Sequence, residues 1–404
     1  MQRNDDRDGN PSEELEVISW NSAWVMSCVA VVAVGFGACE DDAGTVADSA
    51  VSDSVSVSET VSETVAETVS ETVSETVSET VSETVAETVA ETVAETVAET
   101  VTETVAETTP DTETVQESPR VSVVLFTHIE DQTPGGVLGT DQSKNSYLGL
   151  RAKLIEVGEL AQKNKVVWVL QPDWKILEAA RQYEDAATMA STGGKNFLVY
   201  LRDDLGVFID PHSHENGGYN YTDVAYLLGL LGVGGSTVIG GHVWDPALPQ
   251  FQHWERFRSP VYGEKYPAAV WQGNILIGSG TPGHVNDPLV SGVWRPKAPE
   301  AYFTDDPAAN IVAVGQWHNN VAGVQELVDL YAAGTVPATV MLTASWNIQP
   351  SQITAANGPA TIESTVFVPL KAMENAGTIK LTDFTTLVDT WKTRFGAEAY
   401  LYKP

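Results

Sequence analysis

The chain predicts an α/β fold: a distorted (β/α)7–8 barrel preceded by a signal segment and a disordered acidic repeat stalk. Three observations predict it. Between Val121 and Leu342, apolar strand-like runs alternate with segments of helical period, the pattern of a parallel sheet with helical crossovers. Almost every strand-like run ends in His, Trp, Asp or Asn, as strands do at the functional face of a barrel. The charge is also unevenly placed along the 404 residues: of a formal −33, residues 40–119 supply 21 acidic groups and no Lys or Arg, and residues 120–404 carry only −8. The expected domains are therefore 1–39 (signal segment), 40–119 (stalk) and 120–404 (barrel). The acidity belongs to the stalk. It argues against nucleic acid, which requires a basic footprint.

Residues 23–38, AWVMSCVAVVAVGFGA, form an apolar run of signal-peptide length, short for a membrane span. Gly37-Ala38-Cys39 resembles the end of a bacterial lipoprotein signal, which implies cleavage before Cys39 and lipid on its thiol. The implied location is the cell envelope, with the membrane reached through Cys39. Phe36, where an aliphatic residue is usual, and the acidic 22 residues before the run depart from that pattern. Cys28 and Cys39 are the only cysteines, so the folded part has neither disulfides nor thiolate chemistry.

From Val57 to Thr108 run thirteen tetrapeptides of the form Val-Ser/Ala/Thr-Glu-Thr. On an α-helix a four-residue repeat drifts by about 40° per repeat, so the valines hold no common face. Thr and Val disfavour helix, and like charge recurs at every fourth residue. A solvated, extended spacer is expected.

In the folded part, Val121–Phe126 reads as the first strand and leads to Thr127-His128-Ile129-Glu130-Asp131. A helix is expected over Lys144–Asn164, a strand over Val166–Leu170 ending in Gln171-Pro172-Asp173, and a helix over Trp174–Tyr183. Val207–Ile209 is the third strand, followed by Asp210-Pro211-His212-Ser213-His214-Glu215 and an apolar helical run from Val224 to Leu231. Ser236–Gly240, Asn274–Ile277, Ile311–Val314 and Val340–Leu342 complete the strands, with a helix over Val321–Ala333. His212 and His214 stand two apart on extended backbone, so both rings point to one side and one cation can engage both.

The order of these pieces resembles the polysaccharide deacetylase (NodB-like) family, whose barrel binds a divalent metal and hydrolyses N-acetyl groups on sugars. The matching pieces are Glu130-Asp131 at the first strand end, Phe208-Ile209-Asp210-Pro211-His212-Ser213, Trp294-Arg295-Pro296, and the run from Ile311 to His318. The sequence departs from the family in having Glu-Asp for Asp-Asp. It also has Asn216 where the second histidine is usual, with His214 two after the first instead.

The resemblance implies a metal-dependent hydrolase of an N-acetylated carbohydrate, with a divalent metal, zinc, held by Asp131, His212 and His214. In that scheme Glu130 is the base, His318 protonates the leaving amine, and Arg295 holds the acidic partner or the oxyanion. His128 is an alternative ligand to His214. Two other readings stay open. A non-catalytic surface lectin would use Trp244, Trp294, Trp317 and Trp346 as sugar platforms. A glycosidase would need two carboxylates facing across the cleft, Glu130 with Asp210 or Glu215. His253, in the connection from Ala247 to Val270, is expected to cover one side of the cleft.

Overall fold

The computed structural model describes residues 119–241, 254–277 and 288–404. The signal segment, the stalk up to residue 118, and His242, Trp244, His253 and His284 lie outside the described residues.

Strand β1 (Val121–Ile129) is buried at every residue and is flanked on both edges. Parallel ladders join it to β10 (Thr343–Asn347) and to β2 (Trp168–Pro172), and β2 continues to β3 (Phe208–Ile209). A further short strand, β11 (Ile379–Leu381), pairs with Val121–Val123, before the β2 register begins at Leu125. A second sheet holds β4 (Val238–Ile239), β7 (Ile275–Ile277) and β9 (Val312–Val314) in parallel. Two antiparallel strands extend it, β8 (Ser291–Trp294) and β12 (Tyr400–Tyr402). A small hairpin, β5 (Val261–Tyr262) with β6 (Val270–Trp271), stands apart. The fold is thus mixed α/β with parallel sheets. Single parallel bridges join the two sheets, His212 to Gly240 on one side and Gln316 to Ser345 on the other.

The alternation of β1 explains its layers. Val121, Val123, Leu125 and Ile129 enter the large cluster under the helices, whereas Val124 and Phe126 enter a second cluster with Val169, Val238, Ile275, Ile277, Val312 and Val314. Residues two apart share a face, so His128 continues the row of Val124 and Phe126. The lower end of that row is filled by Phe384, Leu387, Val388 and Trp391 of a late helix, Phe384–Arg394. Ring contacts rise from Phe384 to Phe126 (5.6 Å) and from Phe126 to His128 (4.9 Å). An apolar floor therefore leads up to a polar mouth.

Helix α1 (Asp141–Asn164) forms where the helical period predicts it. The Thr140 side chain accepts the Ser143 amide at its start, and Lys165 in the left-handed conformation (φ 54°) ends it. Tyr147, Leu150, Leu154, Val157 and Ala161, spaced by three or four, make its buried face. Helix α2 (Trp174–Tyr183) matches its expected bounds. Helix α3 (Phe197–Asp203) precedes β3, and α4 (Tyr221–Leu230) follows it. A capping box between Asn220 and Asp223 opens α4. The Asp223 carboxylate also accepts the amides of Glu264, Lys265 and Tyr266, which ties the β5–β6 hairpin to α4.

Two expectations are corrected. The last strand of the expected series runs over Thr343–Asn347 rather than Val340–Leu342. Its Thr343 and Ser345 are buried because their hydroxyls bond to Gly292 O and Gly315 O, so a polar pair occupies positions that an apolar run would mark. The antiparallel strands β8 and β12 were not expected from strand–helix alternation, since only the short 3-10 turn Pro299–Ala301, and no α-helix, separates β8 from β9.

Candidate metal centre

Three strand ends deliver the site. Glu130 and Asp131 follow β1, Asp173 follows β2, and His212 and His214 follow β3. Three groups of possible ligands overlap, each with its donor atoms within 4.8 Å of one another: His128, Glu130 and His212; Asp173, His212 and His214; Glu130, Asp131 and His214. Each pair of groups shares one residue, and the shared residues are Glu130, His212 and His214. Their contacts are direct. Glu130 Oε2 lies 3.2 Å from His212 Nε2 and 3.0 Å from His214 Nε2.

The other ring nitrogens are oriented from behind. His212 Nδ1 is 3.1 Å from the Gly240 carbonyl oxygen, which also accepts the Tyr221 hydroxyl at 2.6 Å. His214 Nδ1 is 3.1 Å from Asp131 Oδ1, and the Asn216 amide donates to Asp131 Oδ2. Asp173 N-caps α2 through the Trp174 amide, and its second oxygen accepts the His214 amide at 3.2 Å. An imidazole whose rear nitrogen is held by a carbonyl or carboxylate presents its front nitrogen in fixed orientation, as metal-ligating histidines do.

His128 lies beneath, its ring stacked on His212 with centroids 4.2 Å apart and 20° between planes. Its Nε2 is buried and has no hydrogen-bond partner among the described residues. Gln171 lies close to both His128 and Asp210, but neither of its amide atoms reaches hydrogen-bonding geometry. Gly240 and Gly241 wall this side. A Cβ on Gly241 (φ +72°) would collide with the His212 ring, and one on Gly240 would collide with Gln171 and the Pro211 carbonyl.

The electrostatics follow from burial and neighbours. Burial, then the charge of His212, push His128 well below its ordinary value, which keeps the ring neutral. Burial alone would raise Glu130, but the hydrogen bond and charge of His212 and the charges of His214 and His128 bring it down to about 2. Burial likewise works against a charged His212, yet Glu130 and Asp173 outweigh it and raise its value. Burial raises Asp173 to about 6. A neutral His128 ring, its Nε2 without a hydrogen-bond partner among the described residues, beside the ionised Glu130 carboxylate suits a divalent ion.

The structure brings Glu130, Asp131, His212 and His214 of the residues singled out in the sequence into these groups, together with His128, the alternative ligand, and adds Asp173. It does not bring Arg295 or His318 into these groups. Arg295 makes a two-point ion pair with Asp305 (3.0 and 2.8 Å), bonds the Ala397 carbonyl, and lies over the Trp391 ring at 5.1 Å. Because β8 runs antiparallel to β9, with Trp294 opposite Ala313, Arg295 emerges beside the start of β9 rather than its end. His318 does follow the end of β9, but it is exposed, and its Cβ packs where Gly323 leaves room.

Among the expected sugar platforms, Trp294 is fully buried and donates to Tyr302 O, and Trp317 and Trp346 are also buried. None of these three offers an open face. Asp210 is buried and accepts the Ser236 hydroxyl, and Glu215 is paired with Arg256, so neither faces Glu130 across a cleft.

No family model matches the chain, and no curated protein matches it. Among solved structures, it is similar to the crystal structure of Puue allantoinase, with 12% identity and a TM-score of 0.41, covering 69% of this chain and 92% of that one. It is also similar to 4-alpha-glucanotransferase from Thermococcus litoralis, with 9% identity and a TM-score of 0.39, covering 71% of this chain and 42% of that one. Overlap this partial leaves fold and chemistry to be argued from this chain's own residues.

Proposed function

We propose that this chain is a divalent-metal-dependent hydrolase on a distorted seven-stranded barrel, acting on the amide of an N-acetylated carbohydrate. The observation that carries the proposal is the approach of one carboxylate oxygen, Glu130 Oε2, to both His212 Nε2 and His214 Nε2. The barrel reading is supported by the two single bridges, since His212–Gly240 and Gln316–Ser345 link the two sheets in the strand order 1-2-3-4-7-9-10. The sugar reading rests on the order of the sequence motifs.

Glu130 would hold the ion together with His212 and His128, and His214 Nε2 meets the same Glu130 oxygen from its other side. A bound divalent ion polarises a carbonyl and lowers the pKa of water. The chain's own residues do the rest. Gly240 O and Asp131 Oδ1 fix the two imidazoles from behind. Glu130 faces both rings, which favours a ligand's part over the base's part expected from the motif. His318, exposed beyond β9, keeps the proton donor's part that the motif implies. Arg295 is committed to Asp305 and is left out of this scheme.

The lectin and glycosidase readings lose ground because the tryptophans are buried and the carboxylates are paired elsewhere. Attachment to the cell envelope through Cys39 is proposed from the sequence run alone. Loss of lipid labelling in Cys39→Ser would support it, and unchanged membrane fractionation of that variant would count against it.

The test is acetate release from N-acetylated oligosaccharides by the full chain, before and after chelation. Zinc bound at one or more equivalents, with activity lost on chelation and restored by zinc, is the expected result. Full activity in the metal-free protein would sink the proposal.

A further inference from the structure

We infer that Asn216 and Trp174 are positioning residues, which lock Asp131 so that it holds His214 with Nε2 turned into the cluster. The inference rests on the metal-site reading above and deepens it.

The donor and acceptor roles leave little freedom. An indole N–H can only donate, and Trp174 Nε1 donates to Asn216 Oδ1 at 3.1 Å. That fixes which way the Asn216 amide faces. Its NH2 group is then turned to Asp131 Oδ2, where the bond is made. With Oδ2 occupied, Oδ1 is the oxygen that meets His214 Nδ1, at 3.1 Å. A carboxylate accepts only, so Nδ1 carries the proton, and the ring's other nitrogen is the one 3.0 Å from Glu130 Oε2. Each step in the line Trp174, Asn216, Asp131, His214 is determined by the one before.

The first member of the line is itself held. The Trp174 ring lies flat on Tyr219, centroids 4.6 Å apart and 4° between planes. Gly217 makes room for the ring edge, since a Cβ there would stand 2.8 Å from Trp174 Cζ2. Tyr219 in turn bonds Glu178 on α2. The indole therefore sits on a rigid base, the start of α2, whose cap residue Asp173 holds the backbone of His214. Two segments about forty residues apart thus grip His214 at both its amide and its rear nitrogen.

Three variants of the full chain test this, with zinc alone as the probe. Asn216→Ala removes both bonds. Asn216→Asp sets an acceptor against Asp131. Trp174→Phe removes the indole N–H but keeps a ring on Tyr219. Outer partners of ligating histidines are worth about 10–100-fold in metal affinity. Zinc affinity, measured by chelator competition, should fall by that much in both Asn216 variants and by less in Trp174→Phe. The cobalt(II) absorption spectrum should change, and the metal-free proteins should melt like the parent. Unchanged zinc affinity would overturn the inference, as would a loss of affinity matched by a lower melting temperature.

A second readout needs no metal. The His214 imidazole N–H, assigned in proton NMR by its absence from His214→Ala, should be seen at low field in the parent and lost in Asn216→Ala. If the parent bound no zinc, the metal reading would fall, and this resonance would still decide the positioning role. Its persistence in Asn216→Ala would overturn that role.

Discussion

Glu130 and His212 stand 82 residues apart in the chain, yet the carboxylate oxygen of one lies 3.2 Å from Nε2 of the other. Adjacent parallel strands produce this meeting, because the ends of β1 and β3 flank the end of β2. Glu130→Gln keeps the shape and removes the charge. Zinc affinity should drop by more than the ~10–100-fold that an outer partner costs. His212→Ala should remove bound zinc altogether while the chain still folds. Titration with a chelating dye checks both, and a Glu130→Gln variant that binds zinc like the parent would return Glu130 to the part of base.

Gly241 is the residue against which His212 rests. Gly241→Ala adds a Cβ into the ring and also asks a non-glycine residue to keep φ +72°. The backbone term alone is worth about 1–3 kcal/mol. A lower melting temperature together with weaker zinc binding is expected. Gly206→Ala, at φ +72° in open space, supplies the control, because it should lower stability and leave zinc affinity alone.

Away from the site, Glu374 closes the turn from the helix Val368–Asn375 into β11. Burial would raise its carboxyl, but the Lys371 hydrogen bond, the Leu381 amide and the nearby Lys380 charge outweigh burial and lower it. A depressed folded value stabilises at pH above the unfolded value, near 4.5, and that stability is lost as pH falls through the folded value. Glu374→Gln should therefore be less stable than the parent at pH 7, with the gap closing as pH falls through the depressed folded value. Urea unfolding at several pH values measures it, and a gap independent of pH would refute the linkage.

The tetrapeptides of Val57–Thr108 present no common apolar face that a core could use. A fragment of residues 119–404 should accordingly melt with the same midpoint as the full chain. A lower midpoint by calorimetry would show that the preceding residues contribute to the core.

Much of this arrangement was legible where a pattern has one physical meaning. The β-branched run of Val121–Phe126 and the helical spacing of Trp174–Tyr183 each permit one reading, and the chain adopts it. Asp173 was harder, because a cap and a cluster member look alike in sequence, and here one carboxylate is both. His128 follows from period two only when β1 is extended past Phe126 to Ile129. Arg295 was misread because its position depends on strand direction, and an antiparallel β8 sends it to the wrong end. Tryptophans beside polar strand ends gave no hint of their burial, to which distant rings contribute, Tyr302 against Trp294 and Tyr402 of β12 against Trp317.

The bridge at His212 is made by backbone, where the Gly240 amide donates to the Pro211 carbonyl. The imidazole adds a second fastening at the same place, since its Nδ1 meets the Gly240 carbonyl oxygen. Shape and proposed chemistry are therefore only partly separable at this position. A duplicated copy that replaced the histidine would lose the donor ring and keep the backbone half of its fastening between the sheets.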